Sequence, residues 1–159
     1  MASYMDTNKE QLFLVFDFGG GTLDVSVVEC FDTMVEIISV AGDNHLGGDD
    51  FHEIMANSFL REHSLSIKQI SPKEYAILLR QAEQCKRRLS EEESAKMSLT
   101  IDGDVYQSTY TNHRLLDESG ALLSRMKSVL SRALKDGDFT LQDLDAVVTI
   151  AVAMENITI

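Results

Sequence analysis

Three consecutive glycines, Gly19, Gly20 and Gly21, followed by Thr22, stand between two apolar segments. Leu12 to Phe18 reads as a buried strand, and Leu23 to Glu29 alternates apolar and polar residues as a second strand. Val35 to Val40 reads as a third. Strands this close in sequence are joined by hairpins, so the chain opens with an antiparallel meander. That order is unlike the strand-then-helix start of a Walker-type nucleotide fold.

The rest of the chain alternates helices and strands. Asp49 to His63 is predicted as a helix, with Phe51, Ile54, Met55 and Phe59 on one face. Asp49 and Asp50 favour its first turn through the helix dipole. Pro72 suits the first turn of a second helix that runs to Leu89, with Tyr75, Leu78, Ala82, Cys85 and Leu89 as its apolar stripe. Lys96 to Ile101 and Val105 to Thr111 read as strands around a two-residue Asp102-Gly103 hairpin turn. One long helix is expected from Arg114 to Asp136, with Gly137 as its stop. Thr140 caps a turn through Asp145, and Ala146 to Val152 closes the chain as a buried-looking strand. The fold class is α+β.

Composition narrows the function. The chain has 159 residues, enough for one domain, with 44% hydrophobic and 25% charged residues. Its 26 acidic against 14 basic side chains give a formal net charge of -12. A nucleic-acid binder held by phosphate contacts needs the opposite balance, as does docking on an anionic membrane. Neither nucleic acid nor a membrane is therefore expected as a partner. No apolar run reaches spanning length and no leader pattern is visible, so a cytoplasmic setting is expected. Cys30 and Cys85 give no disulfide framework. The four histidines lack zinc-ligand spacing, no G-x-S-x-G elbow is present, and the seven methionines read as core filling.

Three segments could carry chemistry. In Asp17-Phe18-Gly19-Gly20-Gly21-Thr22-Leu23-Asp24 the glycines let backbone approach an anion and turn several N–H groups toward it. Thr22 adds a hydroxyl, and Asp17 could hold Mg²⁺ through water or orient an attacking water. A plain hairpin turn explains the same residues, and composition leaves the two readings about equal. Gly42 to Asp50 places Gly47 and Gly48 before a helix N-terminus, a place for anions that Asp49 and Asp50 disfavour. On its own this is a loop and helix cap. Glu83, Lys86, Arg87 and Ser90 share one face of the second helix, where a solvated row of ion pairs worth about 0.2–0.5 kcal/mol each is the plainer reading.

Taken in order, VFDFGGGTLDVSVVE, AGDNHLGGDDF, AEQCKRRLS and a long helix leading to DLDAVV closely resemble the seventy-kilodalton heat-shock (DnaK-like) chaperone family. The wording is nearest its divergent bacterial, HscC-like members. The resemblance runs from about Leu12 to Val148 and covers the second lobe of the family's ATPase domain. It implies an actin-like, ribonuclease-H-like fold. Residues 12–46 and 112–159 would form the base subdomain, residues 47–111 an inserted upper subdomain, and residues 1–11 a linker or added tail.

The resemblance also assigns roles. Asp17 matches the aspartate near Mg²⁺ and the attacking water, and it implies a catalytic part for Asp17 and Thr22. Gly19, Gly20, Gly21 and Thr22 match the second phosphate loop. Gly47, Gly48 and Asp49 match the nucleotide-proximal opening of the upper subdomain, with Asp49 where glutamate is usual. Glu83, Lys86, Arg87 and Ser90 match the face that holds adenosine, where the Arg87 guanidinium can lie along the base. Asn112 to Ser119 departs from the family's Arg-Phe-Glu-rich helix start.

In the intact parent, ATP or ADP with Mg²⁺ would control binding of unfolded peptide clients, with a J-domain co-chaperone and a nucleotide-exchange factor as partners. The family's first lobe and the segment after Val148 have no counterpart in the sequence, so the chain reads as a lobe fragment. A few surviving hydrogen bonds of about 1 kcal/mol each limit its ATP affinity to the millimolar range at best, and no hydrolysis is expected. Two rivals remain. One is a non-catalytic interaction or decoy module of the same fold, and the other is a different actin or sugar-kinase relative. An exposed C-terminal strand would also allow dimerisation by strand pairing.

Overall fold

A computed structural model describes residues 9–150 of the chain. In chain order the elements are β1 (Gln11–Phe18), β2 (Leu23–Phe31), β3 (Met34–Asp43), α1 (Gly48–Glu62), α2 (Pro72–Arg88), β4 (Ser94–Ile101), β5 (Asp104–Thr111), α3 (Asn112–Glu118), α4 (Gly120–Asp136) and β6 (Ala146–Ile150). Short 3-10 turns lie at Ile67–Gln69 and Leu141–Asp143. The described residues fall into two compact units, 9–47 with 123–150 and 48–122. The helical unit thus includes α3, which was expected with the base subdomain from residue 112 onward.

The first unit is built on a four-stranded sheet in the order β3-β2-β1-β6. β1 to β3 form the expected antiparallel meander, and β6 joins β1 in parallel. Leu12, Phe13 and Leu14 are buried in succession, the pattern of a strand covered on both faces. β2 instead buries every second residue, Leu23, Val25 and Val27. A bulge between Val27 and Val28 shifts its register against β3. The inner part of β3 is tied to α4: Ser39 Oγ donates to Ala133 O at 2.6 Å, and Arg132 donates to Gly42 O at 2.7 Å.

β6 is fixed at its start. Leu12 N–H donates to the Asp145 carboxylate at 2.7 Å, and Asp145 N–H donates back to Leu12 O at 2.9 Å. Its apolar side chains are not buried, contrary to the sequence reading: β6 pairs with β1 at the sheet edge, and among the described residues no other element packs extensively on it. Val147, Val148 and Ile150 are all exposed. The expected end of that strand, Ala151 and Val152, lies outside the described residues. So does most of the expected tail, although Gln11 at its end is already the first residue of β1.

The second unit packs α1 and α2 together, with α2 also against the β4-β5 hairpin. Phe51, Met55 and Phe59 of α1 and Leu78, Ala82 and Cys85 of α2 are buried at helical spacing. Each such large side chain contributes about 1.5–3 kcal/mol by leaving water. Ser71 caps α2 reciprocally with Glu74, and Pro72 occupies the first turn as expected. Asp102 and Gly103 both take positive φ, the geometry that a two-residue hairpin turn needs. Tyr110, wholly buried, donates its hydroxyl to Met55 O at 3.0 Å, and burial pushes that hydroxyl up to about 12.

Two sequence expectations need correction. The single helix from Arg114 to Asp136 is two helices, α3 and α4, separated at Ser119, whose φ of -96° and ψ of 13° leave the helical region. Gly137 does not supply the left-handed stop of α4. Asp138 does, at φ 60°, with Phe139 N–H bonded to Leu134 O and Asp138 N–H to Lys135 O. Ser64 ends α1 in the same way at φ 54°, with Leu65 N–H bonded to Leu60 O.

Candidate functional site

The glycine segment forms the loop between β1 and β2. Its base is the Phe18–Leu23 pair, both side chains wholly buried, and Gly19 N–H donates to Thr22 O at 2.9 Å across it. Gly20, Gly21 and Thr22 are left exposed at the tip. Asp17 and Asp24 are exposed and directly opposite each other on the two strands. Like charges so placed repel, and a cation beside them would relieve the repulsion. Asp24 leans over the next strand, where a Cβ on Gly42 would meet its carboxylate at 2.7 Å.

The second glycine motif divides at the boundary between the units. Gly47 is buried in the first unit, and a Cβ built on it would overlap the Gly20 carbonyl and the peptide to Gly21. The loop before it is braced. Asp43 accepts from His45 N–H at 2.9 Å and from Arg125 at 2.7 Å, and these bonds hold its carboxyl below the usual range. Arg125 also donates to His45 O at 3.2 Å. Gly48 and Asp49 open α1 in the second unit; Gly48 is buried and Asp49 exposed.

In the second unit, Glu83, Lys86 and Arg87 lie on α2 and Ser90 just past its end. Arg87 pairs with Glu83 at 2.9 Å, but both are open to solvent, so the pair is worth only a few tenths of a kcal/mol. Lys86 differs from its neighbours. It is half-buried, donates to Gly48 O at 3.4 Å, and stands 5.9 Å from the centre of the Phe51 ring. Burial pushes its ammonium below the usual lysine range.

His52, which the sequence reading passed over, lies close by. Its Nδ1 is 3.4 Å from the Asp49 carboxylate, and its buried Nε2 has no hydrogen-bond partner among the described residues. Burial first, and then the Lys86 charge, hold the imidazole below its ordinary pKa of 6.5. The only sequence signal was its position one residue past Phe51 in α1.

The remaining candidates stay structural. Burial pushes the Cys85 thiol up to about 11, so it is not a nucleophile near neutral pH. Among the described residues no three His, Cys, Asp or Glu side chains are grouped to hold a metal ion, and no helix is long and apolar enough to cross a membrane.

The family model described as Hsp70 protein matches residues 2–152. A chaperone protein dnaK from Cyanophora paradoxa is 34% identical across 94% of this chain and 26% of its own length. A stromal 70 kDa heat shock-related protein, chloroplastic, from Spinacia oleracea is 33% identical over the same shares. Its counterpart from Pisum sativum is 31% identical, over 94% of this chain and 22% of its own length. The chain spans about a quarter of the length of these relatives.

Proposed function

Because the chain belongs to the Hsp70 family and carries part of its actin-like ATPase domain, we propose that it supplies two sets of nucleotide contacts. The β1–β2 loop would take the terminal phosphates of ATP or ADP through Gly19, Gly20, Gly21 and Thr22. The α2 face would take adenosine through Glu83, Lys86, Arg87 and Ser90. The observation that carries the reading is the loop itself: Gly20, Gly21 and Thr22 are exposed at its tip while buried Gly47 packs against the Gly20 peptide from behind. A mere turn needs no such backing.

Magnesium fits this arrangement as an ion brought by the phosphates. Mg²⁺ keeps several waters and takes only one or two carboxylates, and Asp17, opposite Asp24 on an exposed face, would hold one of those waters. Bound there, the ion would neutralise phosphate charge. Asp17 would orient a water, and Thr22 with the loop amides would hold the phosphate oxygens that gain charge. In a whole protein of the relatives' length, hydrolysis would control the binding of unfolded peptides, with a J-domain co-chaperone and an exchange factor as partners.

A titration of ATP with Mg²⁺ followed by amide NMR tests the reading. Shifts at Gly19 to Thr22 and at Glu83 to Ser90 are expected, with affinity in the millimolar range and no turnover by this chain alone. Silence at both segments would overturn it, as would robust metal-dependent hydrolysis abolished by Asp17→Asn. The second reading, a non-catalytic interaction module, draws support from the edge strand β3, where Met34, Val35, Ile37 and Val40 are exposed. The β6 edge would allow pairing with a second copy, which sedimentation of the chain across a concentration series by analytical ultracentrifugation would detect.

A further inference from the structure

The segment that leaves β3 runs along the glycine loop from its base to its tip. Asp43, the last residue of β3, is the register partner of Leu23, which closes the base of the β1–β2 loop opposite Phe18. At the other end of the segment Gly47 meets the Gly20 peptide, too closely for any Cβ. Between them Leu46 is wholly buried and fixes the path, while Asn44 and His45 are exposed. Residues 43–47 are thus a strap behind the loop, and a strap steadies a loop only if it is itself held.

One side chain holds it at two places. Arg125 of α4 donates through Nη2 to the Asp43 carboxylate at 2.7 Å and to His45 O at 3.2 Å. The other Asp43 oxygen accepts from His45 N–H at 2.9 Å, so the guanidinium and the carboxylate together close the turn. The helix that carries Arg125 is anchored in its turn. Ser39 Oγ donates to Ala133 O at 2.6 Å, and Arg132 donates to Gly42 O at 2.7 Å. Arg125 therefore projects from a support fixed to the same strand that the strap continues.

We propose that Arg125 is a positioning residue for the β1–β2 loop, acting on Gly20 and Gly21 through the strap. Its hydrogen bonds all go to Asp43 and His45 and none to the loop. Glycine loses more conformational freedom on ordering than any other residue, and the loop amides can converge on an anion only when ordered. A strap held in place orders them before ligand arrives, which strengthens binding without a contact to the ligand. Arg125 is 48% exposed, so the effect is modest. Its bearing on phosphate rests on the nucleotide reading above.

Nitrogen relaxation and amide exchange of the whole chain, without ligand, test the proposal. In Arg125→Met the order parameters of Gly20, Gly21 and Thr22 should fall by about 0.1 or more. Exchange of the Gly19 amide, which is bonded to Thr22 O, should quicken by about threefold. Asp43→Asn keeps an acceptor for His45 N–H but removes the charge facing Arg125, and should loosen the loop less. Arg125→Lys should recover part of the order, since it keeps the charge but not the planar fork. Lys127→Met removes a cation from the same helix that is exposed and makes no hydrogen bond or ion pair among the described residues, and it should leave the loop unchanged. The amides of Leu14 and Val27 report that the sheet is intact. Unchanged loop order in Arg125→Met with an intact sheet would overturn the proposal, as would an equal loss of order in Lys127→Met. If Arg125→Met does not fold, Asp43→Asn decides on the same terms.

Tripolyphosphate with Mg²⁺ separates this proposal from the reading it rests on. Shifts at Gly19 to Thr22 that need about threefold more ligand in Arg125→Met than in wild type or Lys127→Met support both. Equal affinity in all three overturns the proposal as it bears on ligand. Absence of any response in wild type counts against the nucleotide reading alone, and the order of the free loop then decides the role of Arg125.

Discussion

Gly47 packs against the carbonyl of Gly20 so closely that no side chain could stand between them. This contact joins two glycine motifs that are separate in sequence and gives each a purpose. The tip of the β1–β2 loop has a wall of backbone behind it, and that wall is a second backbone without a Cβ.

The two glycines nearest this contact should therefore respond differently to alanine. Gly47→Ala must displace the Gly20–Gly21 peptide and should cost about 1–3 kcal/mol, as overpacking does. Gly21→Ala meets no atom within 4 Å and does not stand at positive φ, so it should change stability by less than about 0.5 kcal/mol. Urea unfolding read from amide signals of β1 and β2 distinguishes the two. Equal stability in both variants would refute the packing argument.

Arg114 should be the most sensitive charged residue of the helical unit. It donates to Glu118 at 2.9 Å, Glu62 at 2.8 Å, Ser58 Oγ at 3.1 Å and Thr109 O at 2.9 Å, and it lies 4.1 Å from the centre of the Tyr110 ring. Arg114→Met strands the Glu118 carboxylate, one oxygen of which is already buried without a partner. With the group about a quarter exposed, the loss should be about 2–3 kcal/mol, below the range for a fully buried pair. Amide exchange in α1, β5 and α3 would register it, and Arg114→Lys should recover only part because it lacks the planar fork.

Acid should weaken the same unit in two stages. His52 has a folded pKa below the unfolded 6.5, so unfolding takes up a proton as the pH drops past that value. Its stabilising share is whole above about 6.5 and declines as pH falls toward the folded value. Burial alone would raise Glu62, but its bonds to Arg114 and Ser108 outweigh burial and hold it below 4.5. That share is present above 4.5 and is lost as pH falls through the folded value. Urea midpoints measured across pH should show both declines. His52→Asn should remove the first and Glu62→Gln should reduce the second.

The cap of α2 offers a local test. Ser71 Oγ accepts from Glu74 N–H at 3.2 Å while the Glu74 carboxylate accepts from Ser71 N–H at 2.6 Å. Ser71→Ala should cost about 0.5–2 kcal/mol, read as faster amide exchange in the first turn of α2. No change there would mean that Pro72 alone defines the start of the helix.

Local chemistry made much of this fold readable. The glycine loop between alternating strands, Asp102-Gly103 with its positive φ values, and Pro72 after Ser71 each act through their nearest neighbours. The break at Ser119 was hidden because Leu115, Leu122 and Met126 keep their apolar spacing across it. The stop of α4 was misassigned because glycine is the usual left-handed residue, yet Asp138 takes that conformation. The exposure of β6 depended on which strand it joined and on which side, a tertiary choice. The contact of Gly47 with Gly20 and the setting of His52 needed the packed chain, since neither neighbour is adjacent in sequence.

The two bonds between Leu12 and Asp145 bear on the order in which the sheet assembles. β1, β2 and β3 meet through short turns, whereas β6 must close a separation of 133 residues before its first bond forms. The entropy of closing so long a loop is lost before any strand contact repays it. The meander should therefore gather early and the parallel edge strand should dock last. Pulse-labelled hydrogen exchange during refolding would then find the amides of β2 protected ahead of the Leu12 amide, which makes the Leu12–Asp145 pair a marker for the completion of folding.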